Sequence, residues 1–138
     1  MAIPKEDLYV SRVTVPGTIP EHNPVSNIRT FAAEEDDITF GRALMGGTDG
    51  NAQVKTFGSA SGKFKGVAGY STEASDLDNS QYDDEDVVAV IDQGPVMVYV
   101  EEAIVAGDSV RIRHTTSGTS IKGSFCKTAV PGETALLS

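Results

Sequence analysis

The sequence predicts an all-β fold: a small β-barrel or sandwich with an extended N-terminal arm. Three observations carry this reading. Gly (14) and Pro (6) are frequent in a chain of 138 residues that lacks Trp. Short β-branched runs recur between clusters of turn residues, and helical periodicity is nowhere sustained over about ten residues. The length suits one compact domain, here residues 38–138, preceded by an arm over residues 1–37. A domain of this size buries about two-thirds of its unfolded surface, and less where part of it is an arm, so a partner is a natural source of further stability.

The arm is defined by proline. VPGTIPEHNPVSNIRTF carries Pro16, Pro20 and Pro24 at four-residue spacing. Each removes a backbone donor and drives its predecessor to extended geometry, which excludes a helix. Isolated apolar residues follow no sustained period, so the segment either lies over another surface or is a loosely ordered terminus. Fully extended it reaches at most about 120 Å, far beyond its own domain. Arg12, Val15, Ile19, Ile28, Arg29 and Phe31 are the candidates for contact with a neighbour.

From Ile38 the β signals follow in order. ITFGRALM is a strand in which Gly41 marks a bulge or a close backbone approach. GGTDGNAQ is a loop, VKTF a short strand, GSASG a turn, and KFKGVAGY a strand with Gly66 and Gly69 where side chains would hinder. STEASDLDNSQYDDED (71–86) is the longest internal loop. VVAVI and PVMVYV are apolar strands joined by the turn Asp92-Gln93-Gly94, with Pro95 at a first position where a missing donor is tolerated. A turn at Gly107-Asp108 leads into SVRIR, whose alternation marks a half-buried strand. A turn around Gly118 precedes IKGSFCKTA.

The formal charge is −9, from 20 acids against 11 bases. No basic stripe is present to neutralise successive phosphates, so nucleic acid is not an expected partner. Eleven of the 20 acids fall at Glu34–Asp37 and between Glu73 and Asp86. They read as two solvated loops, or as one that seeks a basic partner. No apolar run of about 18 residues occurs, so no membrane span is expected, and no secretory signal is read in MAIPKEDLYV.

The order GRALM, GKFKGVAGY, Tyr82 before an acidic run, VVAVIDQGPVMVYV, VAGDSVRIR and GSFCKTAVPGE resembles the phage structural cement, or capsid decoration, protein family. The resemblance covers residues 38–132 and is carried by order and spacing, since no single motif is unusual. It implies a β-barrel-like domain on the outer capsid surface of the virion, commonly a homotrimer, clamping neighbouring major capsid protein subunits after assembly in the host cytoplasm. Gly41, Gly66, Gly94, Gly107 and Asp108 match the family pattern as turn and packing positions. One departure concerns the end of the chain: either ALLS begins a further closing strand, or a neighbour closes the barrel.

Chemistry is sparse. Only His22 and His114 are available as bases, and Cys126 beside His114 reads as a small buried thiol. Thr48-Asp49-Gly50 lacks the apolar strand context of an aspartic-protease triplet. Asp76, Asp78, Ser80 and the Tyr82 carbonyl alternate as in a calcium loop, but Gln81 and Val87 stand where Gly and a bidentate Glu belong, which leaves at most a β-loop site. The VxxGDxV pattern of biotinyl and lipoyl carriers lacks its turn lysine. The expectation is therefore no enzyme, no cofactor and no resident metal. A virion-borne carbohydrate- or host-binding module is the alternative to a decoration protein, with Tyr70, Tyr82 and Tyr99 as its candidate aromatics.

Overall fold

The computed structural model describes residues 16–19 and 26–137. Their order is β1 (Asn27–Ala33), β2 (Ile38–Thr39), β3 (Ala43–Gly46), β4 (Gln53–Thr56), β5 (Phe64–Ala68), a 3-10 turn (Leu77–Asn79), β6 (Gln81–Tyr82), β7 (Val87–Gln93), β8 (Arg111–Arg113), β9 (Phe125–Cys126) and β10 (Thr134–Leu136). The fold is all-β, as expected. None of the described helical turns is long and apolar enough to cross a membrane.

Five strands close a barrel in the order β1-β4-β3-β5-β7. The β1–β4 pair is parallel and the others are antiparallel; β1 seals the ring by pairing Ile28 with Ile91 and Phe31 with Val88. A three-stranded sheet, β10-β8-β9, packs beside the barrel, and a two-stranded β2–β6 ribbon pairs Ile38 with Tyr82. Thr134–Leu136 pairs with β8, so Ala135 and Leu136 of the terminal segment belong to a strand outside the barrel, and closure comes from β1 and β7 of the same chain.

Two cores result from the two-residue period of the strands. Leu44, Ala68, Val88 and Val90 point into the barrel, where they meet Phe40, Val54 and Tyr82. Their neighbours Ala43 and Val67 point outward, where Phe57, Ile112 and Phe125 cover them. β5 is thus apolar on both faces because it separates two cores. Its Gly66 has φ +151°, and a Cβ there would lie 2.6 Å from the Ile91 carbonyl oxygen.

Three expectations need correction. The barrel begins at Asn27, so Ile28, Arg29 and Phe31 belong to a barrel strand and not to an arm ending at residue 37. β1 is held by main-chain pairing on both edges while Ile28, Arg29 and Thr30 stay exposed, which erases the alternation that would have revealed it. ITFGRALM is broken by a turn at Gly41 (φ +82°), where a Cβ would collide with Pro16.

PVMVYV forms no ladder. It is extended, with Val96 and Val98 packed on the second core, but its bonds go to scattered partners. Met97 exchanges bonds with Gly17 and Thr18, and the Tyr99 amide donates to the Gly41 carbonyl (3.1 Å).

Candidate partner-binding surface

Of the predicted contact residues, Arg12 and Val15 lie outside the described residues. Ile19 and Ile28 are brought together: with Tyr70, Ala89 and Ile91 they line a shallow apolar recess of about 160 Å³. The strand-like bonds of Gly17 and Thr18 to Met97, and of the Tyr70 amide to the Gly17 carbonyl (3.0 Å), fix Ile19 at its rim. Arg29 pairs with Asp92 (Nε–Oδ2 3.2 Å) and stays largely exposed. Phe31 is instead half-buried, packed on the barrel core with the Lys65 ammonium 5.7 Å from its ring centroid.

Gly94 and Gly107 take positive φ (104° and 97°), and the Asp108 carboxylate accepts the Val105 amide at 3.0 Å and lies 3.6 Å from the Lys127 ammonium.

The two acidic runs, far apart in sequence, meet at the β2–β6 ribbon. Their carboxylates accept bonds from local donors: Glu34 from the Thr48 amide and hydroxyl, Asp36 from the Asp84 amide (2.9 Å), Asp37 from Gln81 Nε2 (2.6 Å), and Asp86 from the Ser75 and Asp83 amides (2.9 Å each). The Thr48 bonds hold Glu34 below the usual carboxylate range, and the Ser75 hydroxyl, with the Ser75 and Asp83 amides, does the same for Asp86. Asp83 is pushed up, by desolvation first and then by repulsion from Asp76, Asp36, Asp86 and Asp37. Asp76, the first residue of the candidate calcium loop, caps the 3-10 turn through Asn79 and also bonds Gln81. Among the described residues, no three His, Cys, Asp or Glu side chains are grouped to hold a metal.

The candidate catalytic groups also have structural partners. His114 Nδ1 meets Thr115 Oγ1 at 2.9 Å, while the Cys126 thiol faces the carbonyls of Arg111 and Thr128. Burial pushes that thiol's pKa up, which disfavours the thiolate. Thr48-Asp49-Gly50 is a turn, with the Asp49 carboxylate accepting the Asn51 amide. Of the candidate aromatics, Tyr82 is fully buried, edge-on to Phe40 at 5.0 Å, with its hydroxyl donating to the Gly69 carbonyl. Tyr70 and Tyr99 lie outside the strands and are partly exposed.

Sequence reasoning passed over two arginines. Arg113, expected on the solvent face of SVRIR, is buried and ion-paired to Glu101 and Glu133. Arg42 is half-buried on the turn after Gly41, with its guanidinium carbon 4.7 Å from the Tyr99 ring centroid and Nη1 bonded to Ser124 Oγ (2.7 Å). No local sequence signal marks either one, because the carboxylates that pair with Arg113 and the ring under Arg42 lie far away in the chain.

The described residues thus define an all-β module with partly exposed aromatic, aliphatic and arginine side chains on its surface. Residues 9–137 match the family described as structural cement protein (E217 gp24/Pam3 gp6), and the chain belongs to that family of phage proteins. It is a structural protein that associates with the phage capsid and has a capsid-stabilising role. No curated protein matches the chain.

Proposed function

We propose that the protein binds the outer surface of a tailed-phage capsid and ties neighbouring major capsid protein subunits together, as a homotrimer that joins the virion during assembly in the host cytoplasm. The family match over residues 9–137 carries this reading, since it spans both the arm and the barrel. The contact residues in this reading are Arg12 and Val15, which lie outside the described residues, together with Ile19, Ile28 and Arg29. Burial of apolar surface there, worth about 25 cal/mol per Å² before association costs, repeats over the lattice and offsets internal pressure. Phe31 contributes by holding β1 to the barrel. The role is mechanical, with no catalytic step.

The test is to mix the purified protein with expanded capsids of its own phage assembled without it. Saturable co-sedimentation at a fixed number of copies per capsid supports the reading. Absence of binding, together with a hit in a glycan-binding screen, favours the carbohydrate-binding alternative through Tyr70 or Tyr99.

A further inference from the structure

Gly17 fastens the segment before β1 to the barrel. It is buried, and both of its main-chain groups are bonded across a slot between two extended stretches. Its N–H donates to the Met97 carbonyl (2.7 Å), and its carbonyl accepts the Tyr70 N–H (3.0 Å). The Met97 N–H donates back to the Thr18 carbonyl (3.0 Å), so Gly17 and Thr18 together oppose one residue. With Gly17 at φ +80°, this is the geometry of a G1 β-bulge, a device that re-aims the chain carrying it. Pro16 shares the turn, where proline fixes φ and glycine accepts a positive one.

The slot fits this one backbone. A Cβ on Gly17 would lie 2.7 Å from both the Ala68 oxygen and the Tyr70 nitrogen, main-chain atoms that cannot swing aside. Beside it, a Cβ on Gly41 would lie 2.5 Å from the Pro16 Cβ, so a second glycine leaves room for the ring. The walls are tied to the barrel without residues 16–18. Gly41 donates to the Ala68 carbonyl (2.8 Å), Tyr99 to the Gly41 carbonyl (3.1 Å) and Gly69 to the Ala89 carbonyl (2.7 Å). A side chain at position 17 therefore expels the segment and leaves the slot standing.

We propose that Gly17 is the positioning residue of the capsid grip: seated in its slot, it delivers Val15 and Ile19, two residues to either side, to the capsid in a fixed register. The inference rests on the capsid-binding reading above and names the device that aims it. Arg12 stands four residues before Pro16 and so within about 14 Å of it. With the slot empty, the next ladder to hold Val15 is β1 at Asn27, twelve residues on. A flexible link of that length spreads over about 20 Å, and ordering it at each binding event weakens the contact.

The experiment measures binding of full-length wild type, Gly17→Val, Gly17→Ala and Gly107→Ala to expanded capsids lacking the protein. Both Gly17 changes are also made in a chain carrying Arg12→Ser, Val15→Ser and Ile19→Ser. Amide hydrogen exchange of each free protein is followed at Tyr70 and Met97, which bond the anchor, and at Ala32 and Ala33, which bond across the barrel. The anchor predicts about tenfold weaker binding for Gly17→Val, a loss in the same direction for Gly17→Ala, and none for Gly107→Ala, where the backbone is strained but the space is open. Exchange quickens at Tyr70 and Met97 and stays unchanged at Ala32 and Ala33. The triple-serine chain binds more weakly than wild type, and the Gly17 changes add no further loss to it, whereas a merely structural role weakens both backgrounds alike. Gly17→Ala decides the matter if Gly17→Val fails to fold. Wild-type affinity in the Gly17 variants or in the triple-serine chain, an additive loss, quickened exchange at Ala32 and Ala33, or failure of both Gly17 variants to fold overturns the anchor and leaves capsid binding standing. Absence of binding by wild type overturns both.

Discussion

Arg113 grips both carboxylate oxygens of Glu101, with Nη2–Oε2 at 3.1 Å and Nε on Oε1. Its Nη1 reaches Glu133 at 2.7 Å. One buried guanidinium therefore ties three separate stretches together: β8, the extended segment after Tyr99, and the turn before β10. Both carboxylates raise the Arg113 pKa, against desolvation. Arg113→Met leaves Glu101 and Glu133 without their cation. Because Glu133 retains 30% side-chain exposure, the expected loss is about 3 kcal/mol, at the low end for breaking a buried pair. Urea denaturation of the variant beside wild type measures it.

Tyr82→Phe removes a buried hydroxyl that donates to the Gly69 carbonyl and accepts the Ala89 amide (3.4 Å). The ring keeps its packing against Phe40, while the Gly69 carbonyl loses its hydroxyl donor. The expected cost is about 1–2 kcal/mol, from leaving a buried acceptor unpaired. Equilibrium unfolding with an unchanged m-value checks that the loss is local.

Gly66→Ala and Gly107→Ala separate crowding from backbone strain. At Gly66 a Cβ meets the Ile91 oxygen at 2.6 Å and Val90 Cγ1 at 2.7 Å, so the wall between the two cores must shift. At Gly107 the φ of +97° is equally unsuited to a side chain, but nothing stands within 4 Å. The predicted costs are about 3 kcal/mol or more for Gly66→Ala and about 1 kcal/mol for Gly107→Ala. Thermal melts of the two variants report the difference.

The acidic end of the barrel predicts a pH dependence with opposite signs at two neighbours. Asp86 has its folded pKa lowered, first by the Ser75 hydroxyl and then by the Ser75 and Asp83 amides. Its stabilisation is full above the ordinary value of 3.8 and is lost as pH falls through the lower folded value. Asp83 has its pKa raised, so its ionisation destabilises the fold at neutral pH, and that penalty disappears as pH falls through the raised value. Ser75→Ala should therefore cost more stability at about pH 7 than at about pH 3. Asp83→Asn should stabilise at about pH 7 and lose that benefit at about pH 3. Denaturant midpoints of both variants at the two pH values test the signs.

Strands buried on one or both faces were legible in the sequence. VVAVI and KFKGVA carry their β character in the chain itself, and the glycines at 41 and 66 stand where the backbone comes close to Pro16 and Ile91. β1 was hidden because its place depends on pairing with β4 and β7, not on an alternating face. PVMVYV looked like a ladder strand, yet its bonding partners at Gly17, Thr18 and Gly41 are fixed only by the tertiary fold. The same holds for the surface: Ile19 and Ile28 were named from sequence and do meet, while Arg42 and Arg113 acquire their character from residues 57 to 82 and 12 to 20 positions away.

The cementing role itself is tested most directly by heating DNA-filled particles with and without the bound protein and following DNA release with an intercalating dye. Decorated particles should retain their DNA to a higher temperature, with the shift saturating as binding saturates. Identical release curves at full occupancy would contradict a capsid-stabilising role.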